Sequence, residues 1–392
     1  MNIGLVLAST PGYSETFFTS KIKGLKAQGM SVYLFTRGDV GDFDLCTVIS
    51  AKKISRNPFF QGLRSLLVFI QLVPRYGTVK RFIQLERMQG NSWKQVYKKL
   101  YLNAHILSKQ LDWVHFGFAT LSVGSENVAC SMKAKMGVSF RGFDIAIYPH
   151  KFPNCYDLLW RRVDKVHTIS DDLLNRAYEL GLSREVPVQK ITPAIDISVF
   201  SEGEKHFTPV KGKVKILTVA RLNWKKGFVE VIQALDLLKK EGYDFSYTIV
   251  GKGKEEERIA YAVHQLGLSS HVQFVGMKNR EEVIRLYSES DIYVQYSISE
   301  GFCNAVIEAQ SMGLLCIVSN AEGLAENVLN DASGWVVPKY NIDALAKKMI
   351  EVVSLSEAAK QTISVNAKKR VREIFTIEEQ QKKFVDFYRK TN

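Results

Sequence analysis

Two glutamates bracket the stretch Ser299–Gly313, SEGFCNAVIEAQSMG. Glu300 stands before a Gly-Phe pair, and Glu308 follows eight positions later among the apolar residues Val306, Ile307 and Ala309. A carboxylate at Glu300 can accept hydrogen bonds from sugar hydroxyls or stabilise positive charge developing at an anomeric carbon. One at Glu308 can accept from a ribose diol, and its apolar neighbours argue against a merely solvated helix face. Gly301 permits a close backbone approach. The spacing predicts that Phe302, Cys303, Asn304 and Ala305 begin a helix. The free N–H groups of a helix start suit a diphosphate. Cys303 would then contribute its backbone N–H, not its thiol.

Two further stretches offer anion chemistry. In ARLNWKKG, Arg221 and Lys226 lie five apart just after an apolar strand, with a helix starting near Gly227. Two cations at a strand end beside a helix N-terminus form an anion site, although two plain surface cations fit the same letters. In TIVGKGKEEE, Gly251 and Gly253 stand between a strand and a helix. Ligand contact and an ordinary tight turn both remain open there.

These residues need a scaffold, and the apolar pattern supplies one. NIGLVLA reads as a buried strand, Thr16–Gln28 as a helix and SVYLFTR as the next strand. That is the unit of a doubly wound parallel sheet. Residues 59–110 read as helices, then DWVHFGF, VSFRGFD and KVHTIS as short strands. After residue 200 the pattern restarts with KVKILTVAR, FSYTIVG, HVQFVG, DIYVQYS and LLCIVS as strands separated by helices. The expected fold is therefore α/β, two Rossmann-like domains. The expected division is 1–197, 198–374 and a closing helix in 375–392, with a polar junction at 198–213. Ligands in such sheets bind beyond the carboxyl ends of the strands.

The bulk composition narrows the partners. A chain of 392 residues, 46% hydrophobic, can bury two cores. No run reaches the roughly 20 apolar residues that cross a bilayer, and MNIGLVLA lacks the basic start of a signal peptide. Five scattered cysteines fit reduced thiols, so a cytoplasmic setting is expected. No metal-ligand cluster is visible, and no metal is expected. The net charge of +13 is uneven: residues 51–110 hold twelve Lys or Arg and a single acid, Glu86. A solvated helical surface fits this, and so does one that meets an anionic acceptor or the inner face of a membrane. No nucleic-acid recognition motif is present, and none of that class is expected as a partner.

Taken together, the second-half motifs resemble the retaining family 4 glycosyltransferases of the GT-B fold, of the polysaccharide-assembly type. In that family Glu, seven residues and Glu frame a helix, as Glu300 and Glu308 do here. ARLNWKKG is similar to its diphosphate-binding pair and VGKGKEEE to its Gly-x-Gly loop. SDIYVQYS and NDASGWVVP match in order and spacing. The resemblance covers about residues 190–375 well and the first half more loosely. It implies two facing domains with a cleft, a UDP- or GDP-sugar as donor substrate, no cofactor, and a glycan or lipid-linked acceptor. It implies Glu300, Lys226, Arg221 and His115 as catalytic positions. Gly12, Gly251, Gly253, Gly301, Phe302, Cys303, Asn304 and Glu308 would bind the donor. PGYSETFF resembles a turn in which Gly12 to Ser14 approach the donor phosphates. DWVHFGF matches the first of two family histidines at His115, while the second falls at Gly117; a buried strand-end histidine beside Phe116 fits the same letters. FRGFD, with Arg141 and Asp144, resembles an acceptor-side turn, and ITPAIDISVF the interdomain linker. The implied reaction is sugar transfer with retention by a front-face route. Two other readings stay open: a nucleotide-sugar epimerase on the same fold, and a binding module without turnover.

Overall fold

A computed structural model describes the chain apart from residues 13–15, 39–42, 201–206, 208–211 and 390–392. Part of the expected Gly12–Ser14 turn and most of the expected junction 198–213 lie outside the described residues. Two compact units emerge: Met1–Ile191 with Gln380–Asn392, and Thr192–Glu379. The observed divisions fall at 191/192 and 379/380, against the expected 197/198 and 374/375.

The first unit is built on β1 (Asn2–Leu7), β2 (Ser31–Thr36), β3 (Thr47–Ser50), β4 (Trp113–Phe116), β5 (Lys135–Phe140), β6 (Lys165–Thr168) and β7 (Val188–Lys190). They run in the order β3-β2-β1-β4-β5-β6-β7, and every pairing is parallel. The second unit holds β8 (Val214–Val219), β9 (Phe245–Val250), β10 (Val272–Gly276), β11 (Ile292–Gln295), β12 (Leu315–Ser319) and β13 (Trp335–Val337). Their order is β10-β9-β8-β11-β12-β13, again all parallel. The two sheets thus share one winding scheme. In each, the order reverses beside the first strand, between β1 and β4 and between β8 and β11, and that reversal is where ligands of doubly wound sheets bind.

Parallel strands covered on both faces are continuous apolar runs, and β11 and β12 are buried at every position. Between them the helix Asn304–Ser311 crosses over, its Val306, Ile307 and Ala309 packed inward. The helix Phe228–Lys240 packs Val231, Ile232, Leu235 and Leu238 into the core of the second unit. In the first unit, the helix Ile377–Arg389 lays Phe384, Phe387 and Tyr388 among Phe17, Ile22 and Trp113. Lys165 Nζ anchors that helix by donating to the Phe387 carbonyl at 2.9 Å.

Candidate active site

The site in the second unit forms on the loops that follow β8, β11 and β12. Asn223 caps a single helical turn, Trp224–Lys226, which ends on Gly227 in the left-handed region at φ 65°. A Cβ on Gly227 would lie 1.9 Å from the Tyr296 carbonyl oxygen, so only glycine allows the two loops to touch. The Lys225 carbonyl accepts from Ile298 N–H at 2.6 Å. This stitching puts Lys226 opposite Glu300, and the two form a direct ion pair whose side chains are 17% and 18% exposed. Burial opposes the ammonium, but the Glu300 carboxylate outweighs it and holds the Lys226 pKa above its ordinary value. Arg221 is exposed and close enough to Lys226 to pull the other way. Arg221 and the Lys226–Glu300 pair thus meet on the loops at the reversal point of the sheet.

Three residues with no motif of their own hold this geometry. Glu322 Oε2 accepts the Glu300 N–H at 2.6 Å, and its Oε1 accepts from Lys339 Nζ at 3.3 Å. Lys339 also donates to the Ile298 carbonyl at 3.1 Å. Glu322 adopts a φ of 33°, a strained value for a side-chain-bearing residue. Asn327 grips Cys303 from both sides: its Oδ1 accepts the Cys303 N–H at 3.2 Å, and its Nδ2 donates to the Cys303 carbonyl at 2.8 Å.

That grip corrects part of the sequence expectation. The helix begins at Asn304, with Cys303 as its cap and Phe302 still in the loop. The Cys303 N–H is occupied by Asn327 and is not available to a diphosphate. The thiol is buried, which pushes its pKa up to about 11 and leaves it protonated. Phe302 is buried, its ring 5.7 Å from that of Phe375. Asn304 is the first residue of the helix, whose leading N–H groups have no partner within the helix itself. Glu308 sits one turn into the helix, where Tyr287 O–H donates to its Oε2 at 3.0 Å. Burial raises the Glu308 pKa, against the hydrogen bond from Tyr287 and the charge of Arg280.

Gly251 and Gly253 have an internal reason to be glycine. A Cβ on either would fall 2.0 Å from a main-chain oxygen, that of Ala220 or of Leu222. The Gly251 N–H donates to Gly276 O at 2.8 Å, and Leu222 N–H to Lys252 O at 3.0 Å. These glycines let the loop after β9 brace the one bearing Arg221. The Gly251 N–H is thereby taken up within the fold.

The first unit overturns more. His115 in β4 is fully buried. Its Nε2 lies 2.8 Å from Ser139 Oγ and 3.2 Å from Lys21 Nζ, and its Nδ1 lies 2.8 Å from Tyr388 O–H. His167 continues the chain: its Nε2–H donates to the Ile191 carbonyl at 2.9 Å, and its Nδ1 meets Ser139 Oγ at 2.8 Å. Burial, followed by Lys21 and His167, drives the His115 pKa well below the usual imidazole value. His115 is thus a neutral core residue, and the catalytic role expected of it is withdrawn. The alternation of a strand turns its side chain into the sheet face, and Gly137, whose Cβ would sit 2.7 Å from His115 Nδ1, makes the room. Gly117 is crowded as well: a Cβ there would meet Leu7 Cδ2 at 2.3 Å, so a side chain at that position requires Leu7 to move.

Asp144 is likewise internal. Its carboxylate accepts the N–H groups of Ala119 at 3.0 Å, Arg141 at 3.1 Å and Gly142 at 2.9 Å, so it braces the turn and is not open to an acceptor. The Arg141 guanidinium lies over the rings of Phe17 at 4.1 Å and Phe18 at 4.8 Å. Gly12 stands in the loop after β1, and a Cβ placed on it would meet no atom within 4 Å among the described residues beyond its chain neighbours.

Residues 201–370, which hold the whole second-unit site, match the family described as Glycosyl transferases group 1. The Escherichia coli protein WcaL, named for colanic acid biosynthesis, is 30% identical over 274 residues. The chain belongs to the group 1 glycosyl transferases. The alignment with WcaL spans 67% of this chain and 66% of that relative. The amylovoran biosynthesis glycosyltransferase AmsK of Erwinia amylovora is 27% identical over 79% of this chain and 77% of its own. A glycosyltransferase of Rickettsia africae superposes with a TM-score of 0.69 at 21% identity, covering 99% of this chain and 97% of its own. Anabaena HepE, solved with UDP and glucose, superposes with a TM-score of 0.68 at 16% identity, covering 99% of each chain. The fold of two parallel doubly wound units is that of the GT-B glycosyltransferases.

Proposed function

We propose that the protein transfers a sugar, with retention, from a nucleotide diphosphate sugar to a glycan or lipid-linked acceptor in polysaccharide assembly. The observation that carries this is the Lys226–Glu300 pair with Arg221 beside it, at the reversal point of a sheet whose unit matches the family. The names of WcaL and AmsK support polysaccharide assembly, and HepE supports a uridine diphosphate donor. We place the protein in the cytoplasm, where nucleotide sugars are made.

Arg221 and Lys226 hold the diphosphate, and the open helix end at Asn304 adds N–H donors. Charge building on the leaving diphosphate is the largest electrostatic demand of such a reaction. Glu300, released in part from Lys226 when phosphate shares that ammonium, accepts from the sugar hydroxyls. Glu308 accepts from the ribose. The bond from the anomeric carbon to the diphosphate breaks, the bond to the acceptor oxygen forms on the same face, and the acceptor proton passes to the leaving phosphate. Cationic side chains supply the stabilisation, so turnover is expected to survive a chelator; loss restored by magnesium or manganese contradicts this account.

The test is incubation with UDP- and GDP-sugars without acceptor. Slow release of free sugar and nucleoside diphosphate supports transfer. An isomerised nucleotide sugar, or no reaction, overturns it.

A further inference from the structure

The helix Pro58–Leu72 is apolar on two sides. Its inner stripe, Ser65, Val68 and Leu72, is buried, with Phe69 against Tyr97 of the neighbouring helix Trp93–Leu107. Its outer stripe is Phe59, Leu63, Leu66, Leu67, Ile70 and, just past the helix, Val73, each between 50% and 77% exposed. A surface helix normally turns polar residues outward, and an exposed apolar patch of this kind marks an interaction face.

The charge around it is one-sided. Residues 51–110 contain one acid, Glu86, which is fully buried. It accepts from Lys99 at 2.8 Å, Asn91 at 2.7 Å and Asn127 at 2.9 Å. The exposed face of this segment thus presents cations and apolar groups without a carboxylate. Lys52, Lys53 and Arg64 line a cavity of about 410 Å³ together with Leu67, Val68 and Gln71. Three cations beside Leu67 and Val68 in one cavity fit a phosphate headgroup with the start of its acyl chains.

We propose that this face docks on an anionic phospholipid surface, with the helix Pro58–Leu72 lying in the plane of the interface and the Lys52–Arg64 cavity taking a headgroup. The chemistry favours this occupant over the alternatives. No helix among the described residues is long and apolar enough to cross a membrane, which leaves the in-plane arrangement of amphipathic helices. A second copy of the same face would set cations against cations. Nucleic acid has no use for an aliphatic stripe.

The full chain is mixed with vesicles of phosphatidylcholine alone, or with about one third phosphatidylglycerol, and floated at low and high salt. The protein is expected to float with the anionic vesicles, less at high salt, and little with the neutral ones. The double variant Leu66→Ser, Ile70→Ser is expected to lose on the order of tenfold or more in binding at an unchanged melting temperature. Lys52→Glu with Arg64→Glu is expected to erase the preference for anionic lipid. The proposal fails if wild type stays unbound at low salt, or if the serine variant binds as wild type does. It also fails if wild type is a dimer that the serine variant dissolves, which would assign the face to a second copy. Donor hydrolysis measured without vesicles reports separately on the transferase reading.

Discussion

Lys21 in the first unit and Lys226 in the second are both withdrawn from water, yet they answer in opposite directions. Lys21 meets His115 at 3.2 Å, the ring of Phe384 at 4.5 Å and the field of Arg141, and its pKa falls well below the ordinary lysine value. Lys226 meets Glu300, and its pKa rises. Burial alone disfavours an ammonium, so the carboxylate decides the outcome. The second unit keeps a charged pair half open at its sheet reversal. The first unit closes its polar residues into a network that ends on the Tyr388 hydroxyl. A closed network stores specificity of packing, whereas an open pair can trade partners with a substrate.

The largest test of that contrast is Lys226→Ala, expected to lower turnover of a nucleotide sugar by on the order of 10²-fold or more. Lys21→Met is expected to leave turnover near wild type and to hold or raise stability, since removing a buried cation is seldom costly when the replacement fills its space. Equal losses in both variants, measured as initial rates, would erase the distinction between the units.

Acid is the next largest. His115 and His167 both have pKa values lowered by burial relative to the usual 6.5. The unfolded chain then binds more protons than the folded one below pH 6.5. The stability these residues contribute is present above that pH and is lost as pH falls, by up to about 1.4 kcal/mol per pH unit for each. Lys21 follows the same sign at higher pH, adding stability as pH rises toward 10.5. Denaturant melts from pH 7 to pH 5 should show the acid slope, and His115→Phe with His167→Phe should flatten it.

Smaller effects probe the braces of the open site. Asn327→Ala leaves the Cys303 N–H and carbonyl without their partners, for a loss of about 1–3 kcal/mol in unfolding free energy by urea melts. Tyr287→Phe removes one hydrogen bond to Glu308, about 0.5–1.5 kcal/mol. If Glu308 meets the ribose, the donor KM rises in that variant while kcat stays.

The buried strands were legible because covered parallel strands are unbroken apolar runs, as in DIYVQYS and LLCIVS. The strands β3 and β7 are three or four residues long with half-exposed patterns, so no such run marks them. Arg221, Lys226 and Glu300 stood out because they follow strands in short motifs. Asn327, Glu322 and Lys339 did not, because they reach the site from loops 22 to 39 residues beyond Glu300, and only packing brings them back. His115 allowed both a site role and a core role because a motif fixes a residue's place along a strand while the strand's alternation decides its face. A glycine inside β5, Gly137, was the local sign that a neighbouring side chain needed the space.

The helix Ile377–Arg389 has a consequence for how the chain is made. Phe384, Phe387 and Tyr388 belong to the core of the first unit, yet they are translated after the whole second unit. Domains tend to fold in order of synthesis, but here the earlier unit waits for the later one. While the ribosome works through residues 192–379, Phe17, Trp113 and His115 lack their cover. The second unit, contiguous in sequence, is the one able to finish first, and a chaperone that shields nascent apolar surface has its target in the first.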